Sequence, residues 1–298
     1  MSAKVLVSGS SGLVGSALIP ALQANGYQVT RLVHGASSSQ NQISWNPAEP
    51  LRAGTVSGFE AVVHLAGESI MGRWTRAKKL RIRESRVAGT RHLAEALAQA
   101  ATKPRVLVSA SAIGYYGDRG DEILREESPP GSGFLSDVCR GWESACEPAA
   151  QVGIRTLQAR FGVVLSLDGG ALARMLTPFR LGLGGKIGSG RQWWSWIALQ
   201  DIVGIILHAL KTSSLQGPVN AVAPNPATNA EFTKTLGTAL SRPTIFPMPA
   251  FAARLALGEM ADELLLASQR VEPAKLRASG YVFQHQELHA ALEALLKD

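Results

Sequence analysis

Apolar and polar positions follow two alternating periods through the first half of the chain, and each change of period marks a new element. Lys4 to Ser8 (KVLVS) is a short β-branched run of the kind that forms a parallel strand buried on both faces. Leu13 to Ala24 then repeats its apolar positions with helical period, and Gly26 stands where a left-handed residue ends a helix. The pattern predicts further strands over Gln28 to Val33, Phe59 to Leu65, Arg105 to Ala110 and Arg155 to Val164. Between them it predicts helices over Thr75 to Gln99 and from about Phe134 to Gln151. Strand and helix alternating at this spacing define an α/β fold: a Rossmann-type, doubly wound parallel sheet over residues 1–165.

Beyond residue 165 this pattern stops. Gly169, Gly170, Gly182, Gly184, Gly185, Gly188 and Gly190 fall within 22 residues, and Trp193, Trp194 and Trp196 follow. From Pro218 onward the chain reads as prolines and short helices, one of them announced by the capping-box pair Thr228 and Glu231. A smaller α/β subdomain on the substrate side is therefore expected from residues 166–195 and 213–298, with about 196–212 completing the Rossmann domain. Trp193, Trp194 and Trp196 suit either the wall of a substrate cleft or ordinary packing, and Lys186 and Arg191 either meet an anionic substrate or do nothing specific.

Composition narrows the class. Hydrophobic residues at 46% and charged residues at 18% fit a folded globular chain. Cys139 and Cys146 lie two turns apart on one predicted helix, too far to bridge, and no cysteine spacing suits a metal. No leader pattern precedes the first strand, and no apolar run approaches the ~20 residues of a membrane span. These features predict a cytoplasmic, monomeric or homodimeric protein that acts on a small molecule, with no membrane or nucleic-acid partner. The net charge of +7 concentrates between Arg73 and Arg91. No nucleic-acid motif accompanies it, so it reads as a solvated helix face with some cations near an anionic ligand.

The candidate chemistry begins at Gly9-Ser10-Ser11-Gly12-Leu13-Val14-Gly15, where a glycine recurs every third residue between a strand and a helix. Such glycines allow a tight turn, a close approach of backbone to phosphate, and close packing of helix on sheet. The spacing is one residue longer than G-x-G-x-x-G, but the strand before and the helix after it predict a site for the pyrophosphate of a nicotinamide dinucleotide. At the end of the second strand, an acid would suit the ribose hydroxyls of NAD and a cation the extra phosphate of NADP. No acid occurs there before Glu49, whereas Arg31 and His34 do occur, followed by Ser37, Ser38 and Ser39. NADP is favoured over NAD, with strand alternation keeping Arg31 and His34 from both reaching the phosphate.

Several segments together resemble the extended short-chain dehydrogenase/reductase superfamily. They are the glycine loop, Val62-Val63-His64-Leu65-Ala66-Gly67, Ser109-Ala110-Ser111-Ala112 followed by Tyr115-Tyr116-Gly117, and Trp196-Ile197-Ala198-Leu199-Gln200-Asp201-Ile202. Within it, Gly67-Glu68-Ser69-Ile70, Arg73-Trp74-Thr75, the run Arg81 to Arg86, Trp142-Glu143, the run Arg180 to Gly185 and the run Ser268 to Leu276 are similar to the "epimerase family protein" branch, which has a distinctive C-terminal domain. The resemblance implies an NADP(H)-binding oxidoreductase or nucleoside-sugar-epimerase-like enzyme acting on a small hydroxyl or carbonyl compound. It also implies further cofactor contacts from Leu65, Ala66, Gly67, Arg83, Ser109, Ala110, Arg140, Arg160, Phe161, Gly162 and Val163.

Superfamily chemistry uses a Ser or Thr to polarise a carbonyl, a tyrosine as acid and base, and a lysine four residues later. Ser111 matches the first role. The helix that should carry the pair reads Phe134-Leu135-Ser136-Asp137-Val138-Cys139-Arg140-Gly141-Trp142-Glu143, with Leu135 and Cys139, or Ser136 and Arg140, in place of tyrosine and lysine. Tyr115, Tyr116 and Glu68 remain as candidate proton carriers. Each has a plainer role available: the tyrosines as pocket wall, Glu68 in an ion pair with Arg73 or Arg83, and Arg140 in one with Asp137. His64 reads as a core residue. A non-catalytic, redox-sensing NADP(H)-binding protein is the alternative function.

Overall fold

The computed structural model describes residues 2–35 and 39–297. Its centre is a sheet of seven strands: β1 (Lys4–Ser8), β2 (Gln28–His34), β3 (Gln42–Trp45), β4 (Ala61–His64), β5 (Val106–Ala112), β6 (Arg155–Phe161) and β7 (Gly217–Ala221). They lie in the order β7-β6-β5-β4-β1-β2-β3, and every neighbouring pair is parallel. The strand order reverses between β1 and β4, which opens a crevice beyond their carboxyl ends, the place where such sheets bind ligands.

Side chains of a strand alternate between its faces, and both faces here are apolar. Val5, Val7, Val63, Val106 and Val108 pack with Leu18, Ile19 and Leu22 of α1 (Leu13–Ala24). On the opposite face Leu6, Val62 and Leu107 pack with Leu93 and Leu97 of α2 (Arg76–Gln99), which Thr75 caps through Lys78 N–H. Burying each of these aliphatic side chains stabilises the fold by roughly 1.5–3 kcal/mol. The single helix expected over Phe134 to Gln151 is two, α3 (Phe134–Ser144) and α4 (Glu147–Gln151). Pro148 has no N–H to continue the ladder and opens the second helix.

The strand expected over Arg155 to Val164 is likewise interrupted. At Gly162 a Cβ would lie 2.4 Å from the Ser195 carbonyl, and the next strand, Val163–Leu165, leaves the sheet to pair with Trp196–Ala198. α5 (Gly170–Arg180) and α6 (Leu199–Lys211) follow, and α6 adds Ile202, Ile205 and Ile206 to the core beside α1. Two sheet strands differ from the reading of the pattern. β3 is only four residues long, and β7 replaces part of the stretch from Pro218 onward that reads as prolines and short helices. α7 (Asn229–Ala239) starts at the expected capping box, with the Thr228 side chain bonded to Glu231 N–H and the Glu231 carboxylate to Thr228 N–H. The C-terminal part ends with α8 (Ala250–Leu257), a π-helical turn over Ala261–Leu266, α9 (Ala274–Ala278) and α10 (Leu288–Lys297). Trp194 and Trp196 are core residues here: Trp194 packs on Phe232, and the Trp196 indole donates to the Asn225 carbonyl. Trp193 is half-buried, between Arg270 and the Asp121 carboxylate that its indole N–H reaches. Lys186 and Arg191 are exposed.

Candidate functional site

At the end of β1, Gly9 adopts φ +69°, and a Cβ there would stand 2.5 Å from the Leu65 carbonyl carbon. A Cβ on Gly15 would lie 2.3 Å from the Gly9 oxygen, so the turn between strand and helix closes only on glycine. Gly12 is the N-cap of α1. No side chain caps that helix, and its first turn holds no acid. The leading N–H groups and the positive end of the helix dipole are thus left for an anion. Ser10 is half-buried and Ser11 exposed beside this turn. Leu13 packs over Gly169 and Gly170, and Val14 against the core.

At the carboxyl ends of β2 and β3 lies a cavity of about 490 Å³, lined by His34, Gly35, Ser44, Asn46, Glu49 and Arg52 among others. Arg31 is exposed on β2 and is not part of this lining. Ser39 is exposed, while Ser37 and Ser38 lie outside the described residues. Arg52, absent from the sequence reading, supplies a cation to the same cavity. Glu49 also faces it, accepting a 2.8 Å hydrogen bond from the Asn46 amide.

His64, at the end of β4, is fully buried, as a core residue should be. It lies 2.6 Å from Ser8 Oγ and 3.0 Å from Thr90 Oγ1, and burial lowers its pKa to about 4. Past it, the Leu65 N–H donates to Ser8, and the chain continues through Ala66 and Gly67. The space beside Gly67 is filled by the guanidinium of Arg86, 3.3 Å from where a Cβ would be. Arg86 Nη1 donates to the Glu68 and Ile82 carbonyls, and the group stacks 5.0 Å over Trp142. Burial pulls its pKa below the usual arginine value. Its Nε and Nη2 make no hydrogen bond to a described residue. Arg83, the cation expected in this role, is exposed on α2. The clue to Arg86 was helical spacing: Ile82, Arg86, Thr90 and Leu93 share one face of α2, and three of the four are buried. The Glu68 carboxylate is bonded to Lys78 Nζ at 2.7 Å, with Arg81 at 3.7 Å, and the Lys78 bond holds it below the usual carboxylate range. Its partners are therefore on the first turns of α2 and are neither Arg73 nor Arg83.

Register places Ser111 of β5 opposite Arg160 of β6, and the two meet at one carboxylate. Ser111 Oγ donates to Glu143 Oε1 at 2.7 Å, while Arg160 donates to both Glu143 oxygens at 2.8 Å. Arg160 Nη1 also donates to the Tyr116 hydroxyl, which in turn lies 2.7 Å from Asn220 Oδ1. Burial works against the Arg160 charge, but the two-pronged bond to Glu143 outweighs it and raises the pKa above the usual arginine value. Burial pushes Tyr116 up to about 12. With its hydroxyl wholly enclosed, Tyr116 is a structural node. Tyr115 is half-buried, its ring 3.5 Å from the Arg160 guanidinium. Ser109 and Ala110 are buried within β5, and Phe161, Gly162 and Val163 are half-buried where β6 ends.

The two registers read for α3 differ in which of its residues face this region. A Cβ on Gly114 would touch Leu135 Cβ at 3.2 Å and Cys139 Sγ at 3.9 Å, so Leu135 and Cys139 face the segment that follows Ser111. Both are buried, and burial pushes the Cys139 thiol up to about 12. Cys139 and Cys146 are free thiols. Arg140 points outward into an ion pair with Asp137, and Ser136 Oγ is bonded to the Tyr115 and Gly131 carbonyls. The N-terminus of α3 is closed from the far end of the chain. The two Glu263 oxygens accept the Phe134 and Leu135 N–H groups, each at 2.7 Å. A second cavity, of about 280 Å³, opens beside it, lined by Gly114, Gly117, Leu135, Arg254, Glu263 and Gln269 among others. Among the described residues no group of His, Cys, Asp and Glu side chains could hold a metal, and no helix is long and apolar enough to cross a membrane.

A Rossmann sheet with a bare glycine turn at its switch point defines a dinucleotide-binding α/β protein. The model of the NAD dependent epimerase/dehydratase family matches residues 5–221, and a domain of unknown function, DUF1731, matches residues 248–295. The chain belongs to the NAD dependent epimerase/dehydratase family. It is 44% identical over 293 residues to "Epimerase family protein Mb2239" of Mycobacterium bovis, which spans 98% of this chain and 97% of that one. It is 37% identical to the human "Epimerase family protein SDR39U1", covering 98% of this chain and 99% of the relative. A crystal structure of human SDR39U1 (isoform 2) with NADPH superposes with a TM-score of 0.91 at 36% identity, covering 99% of each chain. A structure described as a nucleoside-diphosphate sugar epimerase from Corynebacterium glutamicum has a TM-score of 0.83 and 40% identity, over 99% of this chain and 58% of that one.

Proposed function

We propose that the chain binds NADPH along the crevice of β1, β2, β4 and β5 and acts as an atypical short-chain dehydrogenase/reductase on a small hydroxyl or carbonyl compound. The observation that carries this reading is the uncapped first turn of α1 behind Gly9, in a chain whose fold matches, end to end, a relative crystallised with NADPH. The N–H groups behind Gly12 would hold the pyrophosphate, and His34 with Arg52 the 2′-phosphate. Leu65 to Gly67 and the free donors of Arg86 would hold the sugar on the nicotinamide side. When bound, the cofactor supplies a hydride donor or acceptor. Residues 166–195 and those after the sheet's last strand would form the substrate side.

The chain's own proton path runs through Ser111. Because Glu143 fixes the Ser111 proton, the serine oxygen is left as an acceptor for a substrate hydroxyl, and a proton taken there passes to Glu143 Oε1. Tyr115, beside Arg160, borders the same region. Glu68 is committed to Lys78, and Tyr116 to Asn220 and Arg160, so neither is the carrier in this reading.

Equilibrium titration of the purified chain with NADPH and NADH tests the cofactor assignment. NADPH is expected to bind at least about tenfold more tightly, a difference of ~1.4 kcal/mol. Failure of both to bind overturns it. Loss of reduced-nicotinamide absorbance across a panel of small carbonyl compounds then tests the activity. Leu135 and Cys139, set where the acid and the cation should be, favour a second reading in which cofactor occupancy signals redox state. Tight NADPH binding, no turnover on the panel and a different affinity for NADP+ would select it.

A further inference from the structure

One lobe of the molecule carries an apolar surface that no described residue covers. Leu181 and Leu183 after α5, Ile245 and Phe246, and Phe251 and Leu255 on α8 are between 55% and 76% exposed. The segments that carry them adjoin. The Phe246 N–H donates to the Gly184 carbonyl, the Met248 N–H to the Lys186 carbonyl, and a Cβ on Gly188 would lie 3.7 Å from Ala250 at the start of α8. Phe251 and Leu255 stand one turn apart, so they leave the helix on the same side.

The segments that carry this patch are predominantly basic. No acid occurs between Asp168 and Asp201 or between Glu231 and Glu259, whereas those stretches hold Arg174, Arg180, Lys186, Arg191, Lys234 and Arg242, all exposed, besides Arg254, which is paired with Asp262. Arg242 Nε donates to the Arg180 carbonyl, which sets two of these cations beside Leu181. The carboxylates that follow α8, Glu259 and Asp262, are tied to Lys79 and Arg254. A second copy is a poor occupant, because an isologous contact would set this cationic patch against itself. A surface that is negative on its face and apolar beneath is complementary to it, and an anionic bilayer has that character.

We propose that this face docks the protein peripherally on an anionic lipid bilayer. Leu181, Leu183, Ile245, Phe246, Phe251 and Leu255 enter the headgroup layer, and Arg180, Lys186 and Arg242 meet lipid phosphates. The contact is peripheral, with no membrane span, and does not depend on which cofactor is bound.

Co-sedimentation of the full chain with vesicles tests it. Vesicles of phosphatidylcholine doped with phosphatidylglycerol should bind at least about tenfold more tightly than phosphatidylcholine alone, and added salt should weaken that binding. The F251S/L255S double variant should lose about tenfold of the affinity while keeping the wild-type thermal unfolding midpoint. R180E/R242E should abolish the preference for phosphatidylglycerol. The proposal is overturned if neither vesicle binds, or if binding is indifferent to both variants. It is also overturned if sedimentation velocity shows a dimer that F251S/L255S dissolves, which would make the face a contact between copies.

Discussion

Behind Gly9 the leading N–H groups of α1 meet no capping side chain, whereas around Ser111 the polar groups are already bonded to one another. One end of the crevice is therefore built to be completed by an outside anion, and the other is complete in itself. An open helix terminus is tolerated because water serves it until a ligand arrives. A buried guanidinium has no such recourse, and Arg160 is stable only because Glu143, Tyr116 and the Glu126 carbonyl accept its protons. The open turn behind Gly9 and the network around Ser111 thus depend on separate structural supports, and each can be disturbed without the other.

The largest effect should come from breaking the closed end. Arg160→Ala leaves Glu143 inside without its counter-ion and should cost about 3–5 kcal/mol, read by urea denaturation. A loss under 1 kcal/mol would mean the network is not the support described. At the open end, Gly12→Asp puts a carboxylate where the anion belongs. It should weaken NADPH binding about a hundredfold, or ~2.7 kcal/mol, while leaving stability equal or slightly higher because it caps α1. Parallel losses of stability and affinity would erase the contrast between the two ends.

The third test uses pH. His64 has a folded pKa of about 4, below its unfolded value of 6.5, so between these values the unfolded chain binds the extra proton. Stability should be full above about pH 6.5 and fall as pH drops toward 4, by about 2 kcal/mol between pH 7.5 and pH 5. Denaturation curves of wild type and His64→Gln at the two pH values should show most of this slope vanish in the variant. The smallest effect concerns the join between the two ends. Arg86→Gln should weaken NADPH by about tenfold, ~1.4 kcal/mol, and leave adenosine 2′,5′-bisphosphate affinity unchanged, since that ligand lacks the nicotinamide half. Equal weakening of both ligands would place Arg86 elsewhere.

The parts legible in the sequence were those set by local pattern. β1, α1 and the glycine turn follow from a β-branched run, a 3.6-residue period and the steric limit at Gly15, all contained within two dozen residues. The capping box at Thr228 was visible for the same reason. Features set by distant partners were not. β7 becomes a strand only by pairing with β6, and its Gly217-Pro218 start hides it. Glu68 has several arginines and lysines within a helix length, and only the fold selects Lys78. Tyr115 and Tyr116 look alike in sequence, yet one ring lies on Arg160 and the other hydroxyl is sealed against Asn220. Arg86 sat within a run of basic residues whose abundance disguised the one that turns inward.

The clasp between Glu263 and α3 has a consequence for synthesis. The N–H of Leu135 waits for an acceptor 128 residues further along the chain. At 5–20 residues per second, a ribosome needs about 6 to 26 seconds to supply it. For that interval the nascent Rossmann sheet has a helix with an unfinished beginning, beside the cavity whose wall has yet to be made. A chain stopped before residue 263 would keep the glycine turn while lacking the carboxylate that caps α3.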